Sequence, residues 1–575
     1  MHEPHDEWLF GWDETPGIVS IHAGLDGRAI VWRRIPESGA LVREEERFRP
    51  WLLLEHIEAL SHLGQALGRG EDSSAFVRHR ELDGPGALRH LVSAVDGRAL
   101  VSAVLRGASA RLGRRIGHLA ELGPETVLSL PPEEQYLVAT GRTYFRNLRF
   151  DDLHRLQFDL ETTGLDARSN RIFMISIRYH TGETEVLEAL GDDDSAEADL
   201  IRLLESRVRA ADPDVIENHN LHGFDLPFLD QRSRKLGVAL SLGRTGGPGL
   251  RQRAARRGAP SGDPADRRRV RFVAPGRELI DTLDAVRRHD FSTRDFPGHG
   301  LKVVAKHLGI AAPDREYIRG DQIYTTYRSD PERVRRYATD DVVEVAALSR
   351  LLGGAAFALA QMVPRRYERL ADAGAATGVI DPLIVRAYIR SGAALPPHQQ
   401  GDGTPHSGAA LHLFASGVAH HVVKADVASL YPSLMRSYRI GPVRDRLGVL
   451  LALVDGLVER RLDAKTRGRA APAGSAERYT HEAMSAALKI VVNSAYGYLA
   501  AGGLTRFADV HAANEVTRRG REVLALMCRQ LAARDVTLLE ADTDGVYFAV
   551  PQGWSEDDER RVVAEVATLL PPLVQ

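Results

Sequence analysis

The sequence has little cysteine, little lysine and no long apolar run. Cys528 is its single cysteine, and only six of its basic residues are lysines. One cysteine excludes a framework of disulfide bonds and a zinc site built from cysteine thiolates. No apolar segment is long enough to cross a membrane, and the first residues, MHEPHDEW, are polar, unlike a signal peptide. These absences make a cytoplasmic location the default expectation.

The chain also lacks a strong net charge. Its 75 lysines and arginines are nearly balanced by 78 aspartates and glutamates, which leaves a formal charge of −3. Any attraction for a polyanion must therefore be local rather than general. A length of 575 residues predicts about four domains, and 43% hydrophobic with 27% charged residues is typical of globular proteins.

Two acidic stretches are the most informative features that are present. Asp426 lies in VVKADVASLYPSLM, which is predicted to open as a short buried strand. Asp542 and Asp544 lie in VTLLEADTDGVYFAV, which is predicted to form a hairpin with both aspartates at its tip and Gly545 as the turn. A carboxylate at the end of an apolar strand needs a cation. If the two stretches meet, the aspartates form a cluster of oxygen ligands suited to Mg²⁺.

These stretches resemble metal-binding motifs of the family B, or replicative-type, DNA polymerases. The family's Asp-x-x-Ser-Leu-Tyr-Pro-Ser is matched by Asp426, Ser429, Leu430, Tyr431, Pro432 and Ser433. Its Asp-Thr-Asp is matched by Asp542, Thr543 and Asp544. Between them, its Lys-x-x-x-Asn-Ser-x-Tyr-Gly is matched by Lys489, Asn493, Ser494, Tyr496 and Gly497. An acidic turn alone is common, but three motifs in the family's order are hard to obtain by chance.

A second acidic set lies earlier in the chain. The predicted strand RLQFDLETTGL carries Asp159 and Glu161, which share a face because they are two residues apart. Later segments complete the set with Asn220, Phe224, Asp225, Tyr337 and Asp341. Together they resemble the three motifs of the DEDDy-type 3′–5′ exonuclease fold. The resemblance implies two metal ions held by Asp159, Glu161, Asp225 and Asp341. Carboxylates at this density cannot all stay ionised without divalent cations.

Two predicted helices flank the polar segment RGRAAPAGSAERYT. Arg461 and Lys465 are four residues apart on the first, as are Lys489 and Asn493 on the second, so each pair shares a helix face. A solvated charged face is the plainer interpretation. The resemblance implies instead a short form of the family's fingers, with these cations against a triphosphate, for which lysine provides a compact point charge.

Two other segments have their own interpretations. Residues 244–277 are rich in arginine, glycine and proline and are predicted to form a basic loop, which is either a solvated insertion or an arm that tracks phosphates on DNA. Residues 406–409, HSGA, align with the family's Tyr-x-Gly-Gly/Ala linker, which touches the template between the two active sites. His406 stands there in place of the tyrosine.

The resemblance implies a multidomain protein of mixed α+β and α/β class. Its parts are a β-rich N-terminal domain, an RNase H-like exonuclease domain, and a polymerase palm with short two-helix fingers. The implied boundaries are 1–150 for the N-terminal domain, 151–350 for the exonuclease domain, 351–415 for a helical linker, 416–440 and 501–575 for the palm, and 441–500 for the fingers.

The resemblance also implies the chemistry. Asp426 and Asp544 would hold two Mg²⁺ ions, or Mn²⁺, with Asp542 in a supporting role. The residues implied to contact the nucleotide are Tyr431, Arg461, Lys465, Lys489, Asn493 and Tyr496. Tyr431 would exclude a 2′-hydroxyl, so that deoxynucleotides are the substrates, and Tyr337 would orient water in the exonuclease site. The implied partners are primer–template DNA, single-stranded 3′ ends and deoxynucleoside triphosphates, with no membrane and, in a bacterium, an association with the nucleoid.

The chain also departs from the family. Glu540 and Ala541 stand where Tyr-Gly is common, and Gly545 stands where serine is commoner. Only 31 residues follow Asp544, so the rest of the palm and the helical thumb are expected to be missing. A processivity clamp is left open as a partner, because a clamp-binding tail would belong to that missing part.

Three functions compete at this stage. The first is a DNA polymerase with 3′–5′ proofreading. The second is a 3′–5′ nuclease whose palm no longer polymerises, which the intact exonuclease motifs and the missing thumb favour. The third is a non-catalytic DNA-binding or scaffold protein, which the intact carboxylates of both sites argue against.

Overall fold

The computed structural model describes residues 4–70, 74–247, 249–253 and 270–574. Its first part contains the helices α1 (Pro4–Phe10), α2 (Gly97–Leu112) and α3 (Pro132–Thr140). The strands of this part are β1 (Ile18–Ala23), β2 (Arg28–Arg34), β3 (Leu41–Arg47), β4 (Trp51–Leu54), β5 (Leu67–Arg69), β6 (Val77–Glu81), β7 (His90–Ala94) and β8 (Val127–Leu128). The first three form an antiparallel meander, and the other five form a second sheet in the order β5-β6-β7-β4-β8.

The second part is built on one mixed sheet. Its strands are β9 (Arg155–Thr162), β10 (Ile172–Arg178), β11 (Thr184–Glu188), β12 (Val215–Asn218), β13 (Arg251–Arg253), β14 (Arg271–Val273) and β15 (Glu278–Asp281). Its helices are α4 (Asp194–Ala211), α5 (Asp225–Lys235), α6 (Thr282–Thr293), α7 (Leu301–His307), α8 (Ile323–Ser329) and α9 (Pro331–Leu352). The sheet order is β11-β10-β9-β12-β15, with β9 and β15 parallel to β12. The central strand β9 is covered on both sides and is therefore nearly continuously buried, although apolar and polar residues alternate along it.

Helix α9 lies across this sheet. It begins where the Asp330 side chain accepts the Arg333 N–H at 3.2 Å and Pro331 takes the first helical position. Val334 and Ala338 on its inner face pack against Phe173 and Met174 of β10. This packing directs the next turns of α9 toward the carboxylates of β9.

The predicted basic loop is only partly a loop. Residue 248 and residues 254–269 lie outside the described residues, but the flanks form the antiparallel hairpin β13–β14. Arg244 and Arg277 pair with Asp212, at 2.8 and 2.7 Å. Arg271 pairs with Asp284 at 2.6 Å. The prediction of a solvated loop is therefore wrong for these flanks, whose arginines are held by carboxylates.

Three helices lead to the last part, namely α10 (Gly354–Ala360), α11 (Tyr367–Ala371) and α12 (Asp381–Arg390). The strands that follow are β16 (Leu411–Leu413), β17 (Val422–Asp426), β18 (Thr537–Asp542) and β19 (Gly545–Ala549). The helices that follow are α13 (Leu430–Ser437), α14 (Val449–Ala470), α15 (Ala476–Ala500), α16 (Val510–Ala532) and α17 (Glu556–Ala567). The four strands form an antiparallel sheet in the order β16-β18-β19-β17.

Two details of this sheet correct the sequence interpretation. Strand β17 is an edge strand rather than a buried one, and 47% of the Val422 surface is exposed. The turn between β18 and β19 consists of Thr543, at φ +49°, and Asp544, while Gly545 already pairs with Asp542 as the first residue of β19. The apolar residues that open β17 could not reveal its edge position, because edge strands and central strands can both begin with such residues.

The two finger-like helices are longer than predicted. Helices α14 and α15 pack against each other and are joined by residues 471–475 alone, so most of the predicted polar loop is helical. The Ser475 hydroxyl starts α15 early by accepting the Arg478 N–H at 3.1 Å.

One hydrophobic core joins the first part of the chain to the last. It includes Val31 of β2, Tyr367 of α11, Leu453 of α14 and Phe548 of β19. A separate core fills the mixed sheet around Phe158. Within the described residues no single helix is long and apolar enough to span a membrane, and only α9 and α10, which meet at a bend of 56°, meet those criteria when taken together.

Candidate active sites

Three carboxylates from distant segments meet over the mixed sheet. Strand β9 supplies Asp159 and Glu161, and α9 supplies Asp341. One oxygen from each of the three side chains lies within 4.8 Å of the others. Burial, followed by repulsion from Asp341, raises the pKa of Asp159 to about 6. Burial, together with both aspartates, raises the pKa of Glu161 well above its ordinary value.

Asp225, the fourth predicted carboxylate, lies beside this cluster at the start of α5. Burial and repulsion from Asp159 and Asp281 raise its pKa well above the ordinary range. Its Oδ1 is buried and has no hydrogen-bond partner among the described residues, and the same is true of Asn218 Oδ1. Asn218 also donates to Asp159 Oδ1 at 2.9 Å. Buried oxygens without donors fit a site for a divalent cation.

Two cations that the sequence analysis did not single out adjoin the cluster. Lys302 of α7 lies 3.0 Å from Asp341 Oδ2, and Arg315 pairs with the other oxygen of Asp341. Arg315 also pairs with Glu344 at 2.8 Å. The Tyr337 ring is contacted by both cations, with its centroid 4.5 Å from Lys302 Nζ and 5.0 Å from Arg315 Cζ. The scarcity of lysine was the one sequence signal that could have drawn attention to Lys302.

The aspartates of the palm-like sheet also converge. Strands β17 and β19 pair so that Asp426 is opposite Gly545, directly after Asp544. The Val427 N–H donates to the Asp544 carbonyl at 2.8 Å. Burial and repulsion from Asp426 raise the pKa of Asp544. Asp542 ends β18 just before the turn, where its side chain is exposed and accepts the Thr543 hydroxyl at 2.8 Å. The aspartates offer the oxygen ligands that a hard divalent cation prefers.

The motif on α15 lies next to these aspartates. The rings of Tyr431 and Tyr496 are 4.5 Å apart, and the Ser429 hydroxyl donates to Asn493 at 3.2 Å. Repulsion from Asp544 adds to burial in raising the pKa of Tyr431. Lys489 and Asn493 are exposed on one face of α15.

Three predicted phosphate contacts have no acidic partner. Arg460 pairs with Asp6, and Arg467 pairs with Asp463 at 3.0 Å. In the part of the chain that the structure describes, no carboxylate pairs with any of Arg461, Lys465 and Lys489, and Arg461 Nε is buried without a hydrogen-bond partner. A solvated charged face does not explain why these three cations lack a carboxylate partner among the described residues while their neighbours have one. Binding of an anionic ligand would explain the difference.

His406 contacts the same tyrosine. Its Nε2 is hydrogen-bonded to the Tyr496 hydroxyl, and the two ring centroids are 5.9 Å apart. The adjacent Ser407 N–H donates to Asn514 at 2.8 Å. The linker segment thus lies against α15 and α16 even though histidine replaces tyrosine at its first position.

Comparisons with known proteins agree with this architecture. Residues 156–352 match the RNase H superfamily, and residues 442–546 match DNA polymerase family B. The chain is 25% identical to DNA polymerase 1 of Pyrococcus abyssi, over 78% of this chain and 60% of that protein. It is 24% identical to DNA polymerase 2 of Aeropyrum pernix, over 69% of this chain and 50% of that protein. It therefore spans 50–60% of the length of these relatives.

A solved structure shows the same fold. The family B DNA polymerase of Pyrobaculum calidifontis superposes with a TM-score of 0.74 at 21% identity, covering 96% of this chain and 76% of that one. Fold and matches together describe a protein that joins an RNase H-like domain to a segment similar to family B DNA polymerases. Over these matches the chain is similar to the family B DNA polymerases. Such polymerases and RNase H-like domains are metal-dependent, in keeping with the cluster of Asp159, Glu161 and Asp341.

Proposed function

We propose that this chain catalyses template-directed DNA synthesis and removes nucleotides from the 3′ end of DNA. The observation that carries the proposal is the meeting of Asp426 and Asp544 at one end of the β17–β19 pair, next to Tyr431 and Tyr496. We further propose the domain boundaries that the sequence analysis implied, with residues 151–350 as the exonuclease domain. Primer–template DNA and deoxynucleoside triphosphates are the proposed substrates.

In the palm, Asp426 and Asp544 would hold Mg²⁺, which lowers the pKa of a primer hydroxyl and neutralises charge on the departing pyrophosphate. Asp542 would support them from the end of β18. The phosphates of the incoming nucleotide would be bound by Arg461, Lys465 and Lys489. The absence of carboxylate partners for these three, in the described part of the chain, supports this role.

The tyrosines would select the sugar and the base pair. Tyr431 packs against Tyr496 with ring centroids 4.5 Å apart, which fixes the orientation of both rings. We propose that Tyr431 lies under the sugar and excludes a 2′-hydroxyl, and that Tyr496 lies along the nascent base pair, with Asn493 beside it.

In the exonuclease domain, Asp159, Glu161, Asp225 and Asp341 would hold Mg²⁺ beside the scissile phosphate. Tyr337 would orient the attacking water. Lys302 and Arg315 pair with the two oxygens of Asp341 and favour its charged form, against the burial that raises the pKa of this carboxyl.

Primer extension with four deoxynucleotides tests the synthesis proposal. Asp426→Ala is expected to lower the extension rate by at least about a thousandfold, because it removes a metal ligand, while degradation of single-stranded DNA is retained. Asp159→Ala with Glu161→Ala is expected to do the reverse. Asp557→Ala, on the exposed surface of α17, is the matched control.

The outcomes separate the candidate functions. Extension by Asp426→Ala at the wild-type rate would refute the palm assignment, and degradation by the double variant at that rate would refute the exonuclease assignment. A wild-type chain that degrades DNA from its 3′ end and never extends a primer would favour the nuclease-only alternative.

A further inference from the structure

A lysine adjoins the candidate metal ligands of the palm. Lys424 precedes Asp426 by two residues on β17, so both side chains extend from the same face of the strand. Lys424 Nζ lies 3.1 Å from Asp426 Oδ1. Among the described residues no other cation pairs with Asp426. A positive charge is thus built in where a divalent cation is proposed to bind.

Gly545 leaves the space that this pair occupies. It is opposite Asp426 on β19 and faces the same side of the sheet. A Cβ at Gly545 would lie 2.8 Å from Asp426 Oδ1 and 3.1 Å from Lys424 Cε, so a side chain there would displace the ends of both side chains. The absence of a side chain at position 545 therefore leaves room for the ion pair of Lys424 and Asp426.

The ion pair is exposed enough to be exchanged. The side chains of Lys424 and Asp426 are 46% and 47% exposed, and exposed ion pairs are weak. Lys424 Nζ is also 5.4 Å from the centroid of the Tyr547 ring, its neighbour across β19. The aromatic face offers the ammonium a second favourable position on the same side of the sheet.

We infer that Lys424 is a built-in counter-ion that competes with the divalent cation for Asp426. This inference rests on the proposed role of Asp426 as a metal ligand. In solution, when no divalent ion is bound to Asp426, the Lys424 ammonium pairs with the Asp426 carboxylate. When an ion binds, Lys424 leaves the carboxylate and its charge opposes the ion, so the palm site binds metal more weakly than its carboxylates alone would.

Metal binding without DNA or nucleotide tests the inference. The exonuclease site is first silenced by Asp159→Asn with Glu161→Gln, and the protein is titrated with Mn²⁺ while free Mn²⁺ is measured by electron paramagnetic resonance. Adding Asp426→Asn should remove the remaining binding and so locate it in the palm. Lys424→Met keeps the side-chain length without the charge, and should tighten binding by roughly three- to tenfold, from Coulomb's law at a wet surface.

Two variants complete the experiment. Lys424→Arg keeps the charge and is expected to bind Mn²⁺ within about twofold of the parent, since charge rather than shape opposes the ion. Lys306→Met changes an exposed lysine of α7 in the same way, and is expected to leave binding unchanged. Weaker binding or no change in Lys424→Met would overturn the inference, as would equal tightening by Lys424→Arg. The titration involves no turnover, so this failure is distinct from a failure of primer extension.

Discussion

Two of the six lysines contact candidate metal ligands, and two others are proposed phosphate contacts. Lys302 contacts Asp341, Lys424 contacts Asp426, and Lys465 and Lys489 lie on α14 and α15. Arginine serves nearly all other basic positions, including buried structural pairs such as Arg365 with Glu134 at 2.9 Å. A planar guanidinium suits fixed pairs, whereas an ammonium exchanges partners readily. We therefore expect lysine at positions where a positive charge has to pair with different partners, such as a carboxylate or a phosphate.

His219 provides a pH-dependent contribution to stability. Its Nε2 is 2.8 Å from the His299 carbonyl and its Nδ1 is 3.0 Å from the Thr282 hydroxyl. The carbonyl can only accept, so a neutral ring with the proton on Nε2 satisfies both contacts. Burial lowers the pKa of His219 from 6.5 to about 4. The unfolded chain therefore binds the extra proton first, and stability is lost as the pH falls from 6.5 toward 4.

We expect this loss to be about 2 kcal/mol between pH 7 and pH 5 for wild type, from linkage. Urea unfolding at both pH values measures it. His219→Gln cannot be protonated and should lose that much less over the same interval. Identical pH profiles for the two proteins would contradict this account.

At the scale of elements, the apolar periodicity predicted which segments form strands and helices, but not where each element lies in the fold. It predicted the strands that carry Asp159 and Asp426 and the helix that carries Tyr337 and Asp341, because these segments have clear apolar patterns. It misjudged the exposure of β17, since whether a strand lies at an edge depends on its neighbours in space. It also missed Arg315, which reaches Asp341 from a loop that has no pattern of its own.

Helix α10 packs closely against α15. A Cβ at Gly354 would lie 2.7 Å from both Ala483 Cβ and the Tyr479 hydroxyl. Tyr479 also donates to the Arg350 carbonyl at 2.6 Å. Gly354→Ala should therefore force the two helices apart and destabilise the protein by about 1–3 kcal/mol, although alanine is the better helix former.

Gly374→Ala is the matched control, because no atom of the described residues lies within 4 Å of its Cβ position and its φ is not positive. It should be neutral or stabilise by up to about 1 kcal/mol. Denaturant unfolding of both variants checks the pair. If Gly354→Ala were as stable as Gly374→Ala, the close approach of α10 and α15 would be refuted.

At the scale of the whole molecule, long-range contacts join the parts. Arg34 of β2 pairs with Asp214 at 2.7 Å, and the Arg386 side chain of α12 donates to the Trp8 carbonyl at 2.7 Å. These two pairings span 180 and 378 residues and have no local signature in the sequence. The resemblance to family B polymerases supplied the overall arrangement that composition and periodicity could not. Neither the resemblance nor the periodicity predicted the contact of His406 with Tyr496, because His406 is a residue at which the chain departs from the family B motif.

That contact connects the linker to the proposed nucleotide site. From His406 the contacts continue through the Tyr496 hydroxyl and ring to the Tyr431 ring. His406→Ala removes the first of them and leaves the Tyr496 ring held by Tyr431 without the hydrogen bond to its hydroxyl. We expect the KM for deoxynucleotides to rise about two- to tenfold, the value of one partly exposed hydrogen bond, with little change in the rate of 3′–5′ degradation.

Single-turnover extension and degradation assays on the same preparation measure both quantities. His420→Ala, at an exposed histidine of the segment that leads into β17, is the control and should match wild type. His406→Tyr restores the ring that the family has at this position and should recover most of the affinity if an aromatic ring packed on Tyr496 is what matters. If extension and degradation slowed equally in His406→Ala, the residue would support the fold in general and would have no particular connection to the nucleotide site.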